Sequence, residues 1–343
     1  MATARAARLR APRSVLLMLT AAAAVAGAVV PAASSSAAPR LTIGQVQARV
    51  AALNDQAERI TESYNALREQ LSTLQREQRV AADQLVRDQA ALATAQKTIS
   101  ATANYAYQNG GLGGVVSLAD LSSPETFMTS SAMLDEVARY QAAQLAAVSV
   151  AQHDVAATSA AVIAKQDQVK QALGAISADK ARIDHLLAQA RAMLASLRAA
   201  DRARLSSAAA GEASSMAALR GSYHGPASGR ASVAVRFAYN QLGKPYQYGG
   251  AGPNSYDCSG LTMRAWGAAG VALSHNAAAQ QGETRPVSYG NLQPGDLVFF
   301  GSPAYHVAIY IGNGKVIAAP HTGDVVKIQE LSSMPNYSGA GRP

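Results

Sequence analysis

From Val46 onward the apolar residues recur at steps of four and three: Val46, Val50, Leu53, Ala57, Ile60, Tyr64, Leu67, Leu71 and Leu74, then Ala81, Leu85, Leu92, Ala95 and Ile99. A helix with one apolar face at this spacing must bury that face along a second helix. Only Gln78 and Asp88 break the seam, and no proline interrupts it. At ~1.5 Å of rise per residue the spacing predicts a rod roughly 90 to 100 Å long.

The stretch QNGGLGGVVSLADLSSPETF, with its glycines and Pro124, stops that helix and starts another. A second seam follows through Leu134, Val137, Leu145, Val148, Val155, Val162, Val169, Leu173, Ile176, Ile183, Leu187, Leu194 and Leu197. One of its two heptad frames is apolar throughout, and the other admits Gln152, Gln166 and Lys180. Two long helices joined by a short interruption can fold back on each other, so residues 39–205 are expected to form an antiparallel coiled-coil hairpin. Such a rod serves either as a spacer or dimerisation element, or as a lever that a partner grips.

Residues 206–230 hold eleven Ser, Gly or Pro among 25 and no apolar period, the composition of a flexible linker. The remaining stretch, 231–343, is long enough for one small domain with its own core. Helices are expected near 231–242 and 258–269, followed by short strands at DLVFF, HVAIYIG, KVIAA and DVVKIQ. Helices first and antiparallel strands after them indicate an α+β fold class for this domain.

The amino terminus carries Arg5, Arg8, Arg10 and Arg13 without an acid, then an uncharged run from Val15 to Val30. This is the pattern of a secretion signal over residues 1–38. The run is shorter than the ~20 residues a spanning helix needs, and cleavage is expected between about 32 and 38, an uncleaved anchor being the alternative. Removing those four arginines takes the formal charge from +8 to +4, leaving little reason to expect nucleic acid as a partner. A secreted or cell-envelope location follows from this reading. A single cysteine, Cys258, cannot close an internal disulfide, so the fold must hold by packing.

What that thiol does is the central question. Asp257 reads as an N-cap and Cys258 as the first helical residue, where unpaired backbone N–H groups and the helix dipole favour a thiolate and could receive an oxyanion. A nucleophilic cysteine also needs an imidazole. His306, at the start of HVAIYIG, ranks ahead of His275 and His321 because a strand end can reach a cleft. A lone cysteine near a helix start is more often a packed small residue, and a strand-end histidine a surface group. Zinc held by Cys258, His306 and His321 does not fit the usual short-loop ligand spacing, so no metal and no cofactor is expected.

Taken together, PYQYGGAGPNSYDCSGL, LQPGDLVFF and HVAIYIGNGKVIAAPHTGDVV resemble the NlpC/p60 family of bacterial cell-wall cysteine peptidases, over about residues 233–331. The resemblance implies a papain-like domain that cleaves peptidoglycan stem peptides, commonly after D-glutamate. It makes Cys258 the nucleophile and His306 the general base, Tyr246 an aid to oxyanion binding, and Asp257 and Ser259 lining residues of the peptide pocket. It also implies that the coiled coil covers the site until a membrane division complex of the ABC-transporter kind engages it.

One position departs from the family pattern. The residue twelve places after His306, which usually orients the imidazole, is Ala318. A two-residue turn at Asn313-Gly314 would pair His306 with His321, which is therefore the expected substitute. The departure also keeps open a catalytically silent wall-binding or activator protein, and acyltransferase or amidase chemistry on the same scaffold.

Overall fold

The computed structural model describes residues 41–108 and 124–343. The expected signal segment, and most of the glycine-rich interruption between the two seams, lie outside the described residues. Among the described residues no helix is long and apolar enough to cross a membrane.

Helix α1 runs Ile43–Gln108 and α2 Pro124–Ala195, and the two pack side by side in antiparallel register. Cross-helix contacts trace that register: Ser63 Oγ donates to Asp179, Lys165 pairs with Glu77 at 2.7 Å, and Gln144 Nε2 donates to Thr102. Asp88, one of the two breaks in the α1 seam, accepts a hydrogen bond from Thr158 Oγ1 at 2.6 Å, so its carboxylate is satisfied at the interface. Of the two α2 frames, the apolar one through Val148, Val155, Val162, Val169, Ile176 and Ile183 faces α1. Leu145 and Leu173 of the other frame are exposed, at 64% and 48%. The α2 seam instead combines the apolar frame with small and polar residues such as Thr158, Ala172 and Asp179, which let two helices approach without a third.

The expected flexible linker at 206–230 is corrected by the structure. A third helix, α3, spans Ala199–Ala218 and covers its first half. The serines and glycines there are diluted by alanine, the strongest helix former, and Ser costs a helix only a few tenths of a kcal/mol, about 0.5 relative to Ala. Tertiary contacts add to this: Glu212 pairs with Lys327 at 3.1 Å, Ile328 N donates to Met216 Sδ, and Gly243 lies so close to Ala213 and Ala217 that a Cβ would collide. Only residues 219–228 are irregular.

The C-terminal domain contains α4 (Gly229–Gln241), α5 (Cys258–Ala268) and the short α6 (Ala277–Glu283). A six-stranded antiparallel sheet follows, with β1 (Arg285–Val287), β2 (Leu297–Phe300), β3 (His306–Gly312), β4 (Lys315–Ala318), β5 (Lys327–Glu330) and β6 (Tyr337–Arg342) in the order β1-β6-β2-β3-β4-β5. Both faces of β2 are buried: Leu297 and Phe299 join the core under α4 and α5, while Val298 and Phe300 pack with Ala308, Val316 and Leu331 on the other side. The four strands read from the sequence are present. β1, β6 and α6 are not legible there, because RPV is three residues long and YSGAGR carries two glycines. Gly341 explains one of them: a Cβ there would overlap Thr284 Oγ1, so β6 can lie beside that turn only with glycine.

Candidate active site

Cys258 opens α5, as its neighbours dictate. Asp257 caps the helix, its Oδ1 accepting from Gly260 N at 2.7 Å, and the same oxygen takes a second hydrogen bond from His275 Nε2 at 2.7 Å. Gly260 lets α5 approach the Gly249–Gly250 loop, since a Cβ there would collide with Gly250 O. His306 opens β3, and the backbone N–H of its neighbour Val307 favours the anionic form of the Cys258 sulfur. Ligand atoms of Cys258 and His306 lie within 4.8 Å of each other, so a helix start and a strand start separated by 48 residues bring thiol and imidazole together. Tyr246 is buried beside them, and Ser259 is fully buried next to the thiol.

His321 is not brought to His306 as the two-residue turn predicted. The β3–β4 register shifts between Tyr310 and Gly312, so Tyr310 pairs with Val316 and Ile309 with Ile317, one residue out of step with that turn. The strand ends at Ala318. His321 Nδ1 instead meets Asn54 Nδ2 at 3.1 Å, and its Nε2 lies 3.7 Å from Asp324. The two histidines line one cleft of about 290 Å³, together with Asn54, Asp55 and Gln329. The hydrogen-bond partner of His306 Nδ1 is Glu58 Oε1, at 2.5 Å.

That partner belongs to α1. The rod's amino-terminal end lies across the thiol, and its polar residues Asn54, Glu58, Thr61, Glu62 and Asn65 are buried. Glu62 reaches deepest. Its Oε1 accepts from Ser259 Oγ at 2.7 Å and faces Cys258 Sγ at 3.4 Å, and its Oε2 accepts from Ala277 N at 2.5 Å. Its backbone carbonyl accepts from Asn276 Nδ2 at 2.8 Å. Asn65 Nδ2 donates to Asp257 Oδ2 at 3.0 Å, and Glu69 accepts from the backbone N–H of His275. Arg59 stacks over the Tyr305 ring at 3.7 Å, and Tyr64 packs edge-on against Tyr248. The thiol is fully covered as a result.

These polar residues recur at steps of four, four, three and four (Asn54, Glu58, Glu62, Asn65, Glu69), a second helical stripe beside the apolar seam. The stripe is visible in the sequence but reads as an ordinary solvated face. Nothing local distinguishes it from one.

Burial sets the electrostatics. Glu62 is pushed up to about 8, first by loss of water and then by Asp257, against the pull of its three donors. Burial likewise raises Glu58, although His306 opposes it. The Cys258 thiol stands well above its ordinary range because it is buried and faces Glu62, Glu58 and Asp257, which outweigh the Val307 N–H. Burial works against the His306 imidazolium, yet Glu58, helped by Glu62 and Asp257, holds its pKa above the usual value. The docked site is thus a neutral thiol beside a proton-rich cluster, the opposite of an activated thiolate.

The sign of the pH effect follows. Glu58, Glu62 and His306 each bind protons more tightly with α1 docked than when exposed, so docking is favoured at low pH and weakens as pH rises. For Glu62 the window runs from its ordinary 4.5 to about 8. The slope of log alkylation rate of Cys258 against pH should therefore fall by about one in Glu62→Gln over that window. Equal slopes in the two proteins would show that the carboxyl does not gate the thiol.

Thiol, imidazole and helix start on an α+β scaffold define a papain-like cysteine-nucleophile domain. Residues 243–338 match the NlpC/P60 family, and the chain carries an NlpC/P60 domain at its C-terminal end. Over 113 residues the chain is 40% identical to a probable endopeptidase of Corynebacterium glutamicum, covering 33% of this chain and 54% of that one. It is 47% identical over 88 residues to the probable endopeptidase p60 of Listeria seeligeri, covering 25% of this chain and 17% of that protein. Among solved structures, the NlpC/p60 domain of the peptidoglycan hydrolase SagA is 33% identical, with 33% of this chain and 98% of that one covered and a TM-score of 0.32. The chain thus spans about half the length of the corynebacterial relatives it matches.

Proposed function

We propose that the protein is an exported cysteine endopeptidase of peptidoglycan stem peptides, held shut by its own rod. The observation that carries this reading is the placement of Glu62 between Ser259, Cys258 and the Ala277 N–H, inside the pocket of an otherwise assembled Cys–His site. In the open form Cys258 attacks the amide carbonyl, His306 protonates the leaving amine, and water then releases the acyl-enzyme. Tyr246 and the backbone N–H groups at the start of α5 face the oxyanion, and Asp257 and Ser259 face the peptide. A bond following D-glutamate and a cell-envelope location belong to the same proposal. So does a membrane complex that pulls on the hairpin, since lifting α1 is what the geometry requires.

The test uses a protein whose latch is reversed in charge, Glu58→Lys/Glu62→Lys, incubated with purified cell wall. New amino termini are expected, with fragment masses that identify hydrolysis of a stem peptide, and none when Cys258→Ala is added. No new termini under any of these conditions would favour the silent wall-binding module instead.

A further inference from the structure

Helix α1 brings two buried carboxyls, Glu58 and Glu62, up to the thiol. Among the described residues, no lysine or arginine pairs with Glu58 or Glu62; His306 is the cation facing Glu58, and Glu62 faces Asp257 across the pocket. Burying Glu62 beside Asp257 and the thiol with no cation opposite it is costly. At the same point, Glu58, Cys258 and His306 each turn one ligand atom inward, all within 4.8 Å of one another. The three come from three separate elements, α1, the start of α5 and the start of β3.

We propose that this is a divalent transition-metal site, suited to zinc, that exists only while α1 is docked and locks the latch shut. Thiolate, imidazole and carboxylate form a donor set that zinc favours, and bond lengths of about 2.0 to 2.3 Å place tetrahedral ligands roughly 3.3 to 3.8 Å apart. All three donors already lie within 4.8 Å of one another, and the 2.5 Å contact between Glu58 and His306 would open to admit the ion. Glu62 Oε1, 3.4 Å from the sulfur and accepting from Ser259 Oγ, lies beside these three donors without joining them. Charge balances: one Zn²⁺ replaces two protons, that of the thiol and the one shared by Glu58 and His306, with no change of oxidation state. The sequence gives no sign of such a site, because one ligand lies 200 residues ahead of the thiol. Because Glu58 leaves with α1, opening destroys the site, and by linkage metal binding must oppose opening. The inference rests on α1 acting as the latch.

The experiment uses the full chain stripped of metal and titrated with Co²⁺ as a spectroscopic probe, followed by competition with Zn²⁺. One cobalt per chain is expected, with a thiolate charge-transfer band, the d–d bands of a four-coordinate site, and release of two protons. Glu58→Gln should weaken binding by at least about tenfold, the size of effect known for groups that tune metal sites. Glu58→His, which restores a ligand, should recover affinity with altered d–d bands, and Glu77→Gln, on the remote rod, should change nothing. Absence of the thiolate band in the wild type, or unchanged affinity and spectrum in Glu58→Gln, would overturn the site. If the charge-reversed latch gains wall activity while the wild type binds no cobalt, the latch stands and the metal site falls. Cobalt bound through Glu58 alongside a charge-reversed latch with no gain in activity would remove the latch and retain the site.

Discussion

Glu58→Lys/Glu62→Lys is expected to raise hydrolysis of soluble muropeptides at least about tenfold over wild type at neutral pH. The reason is local. In the wild type Glu62 satisfies Ser259 and the Ala277 N–H, and Glu58 satisfies His306. Two ammonium groups in the same places would leave those donors unpaired and set cations against the His306 and His275 imidazoles. Leaving a buried charge uncompensated costs about 3 to 5 kcal/mol, enough to shift a docking equilibrium by two orders of magnitude or more. Simple truncation to alanine is a weaker test, since it also removes a carboxyl whose burial is itself unfavourable. Helicity measured by circular dichroism should stay unchanged, because Glu58 and Glu62 lie off the seam shared with α2. Equal rates in wild type and variant would mean that α1 does not restrain the site.

In that open background, Cys258→Ala should lower the rate by about 10³-fold or more, and His306→Ala by a similar factor. Residues that act as one nucleophile–base unit fail together, so the double variant should be little worse than either single one. Ala318 sharpens this prediction. With no side-chain acceptor at that position and His321 held by Asn54, opening α1 frees His321 from one of its partners. His321→Ala should therefore cost much less than His306→Ala, about tenfold or below if it orients the ring at all, as second partners of a base do when water can replace them. Losses of similar size for all three would restore His321 to the orienting role suggested by the simple hairpin. Rates on defined muropeptides measure each of these.

How far the site could be read from the sequence depended on the range of the interactions. Asp257 before Cys258 is a local signal: an N-cap works within three residues, and the cap bond to Gly260 N is there. The strand HVAIYIG is likewise legible from its short run of β-branched and apolar residues and its bounding loops. His321 is a case where local rules misled, because a register shift near Gly312 moves every pairing beyond it by one residue. The linker misled for the opposite reason: its composition is loop-like, but contacts with Lys327, Ile328 and Gly243 hold it as a helix.

Period, composition and short motifs were sufficient for the hairpin and the α+β domain, since each depends on residues near one another in sequence or on one repeating face, whereas pairing Cys258 with His306, 48 residues away, took the family resemblance. The covering of that pair by Glu58, Glu62 and Asn65 was decided by tertiary structure alone. A polar helical stripe has the same pattern whether water or a protein pocket satisfies it. Only the folded chain, bringing residues about 200 positions apart into hydrogen-bonding distance, determines which of the two it is.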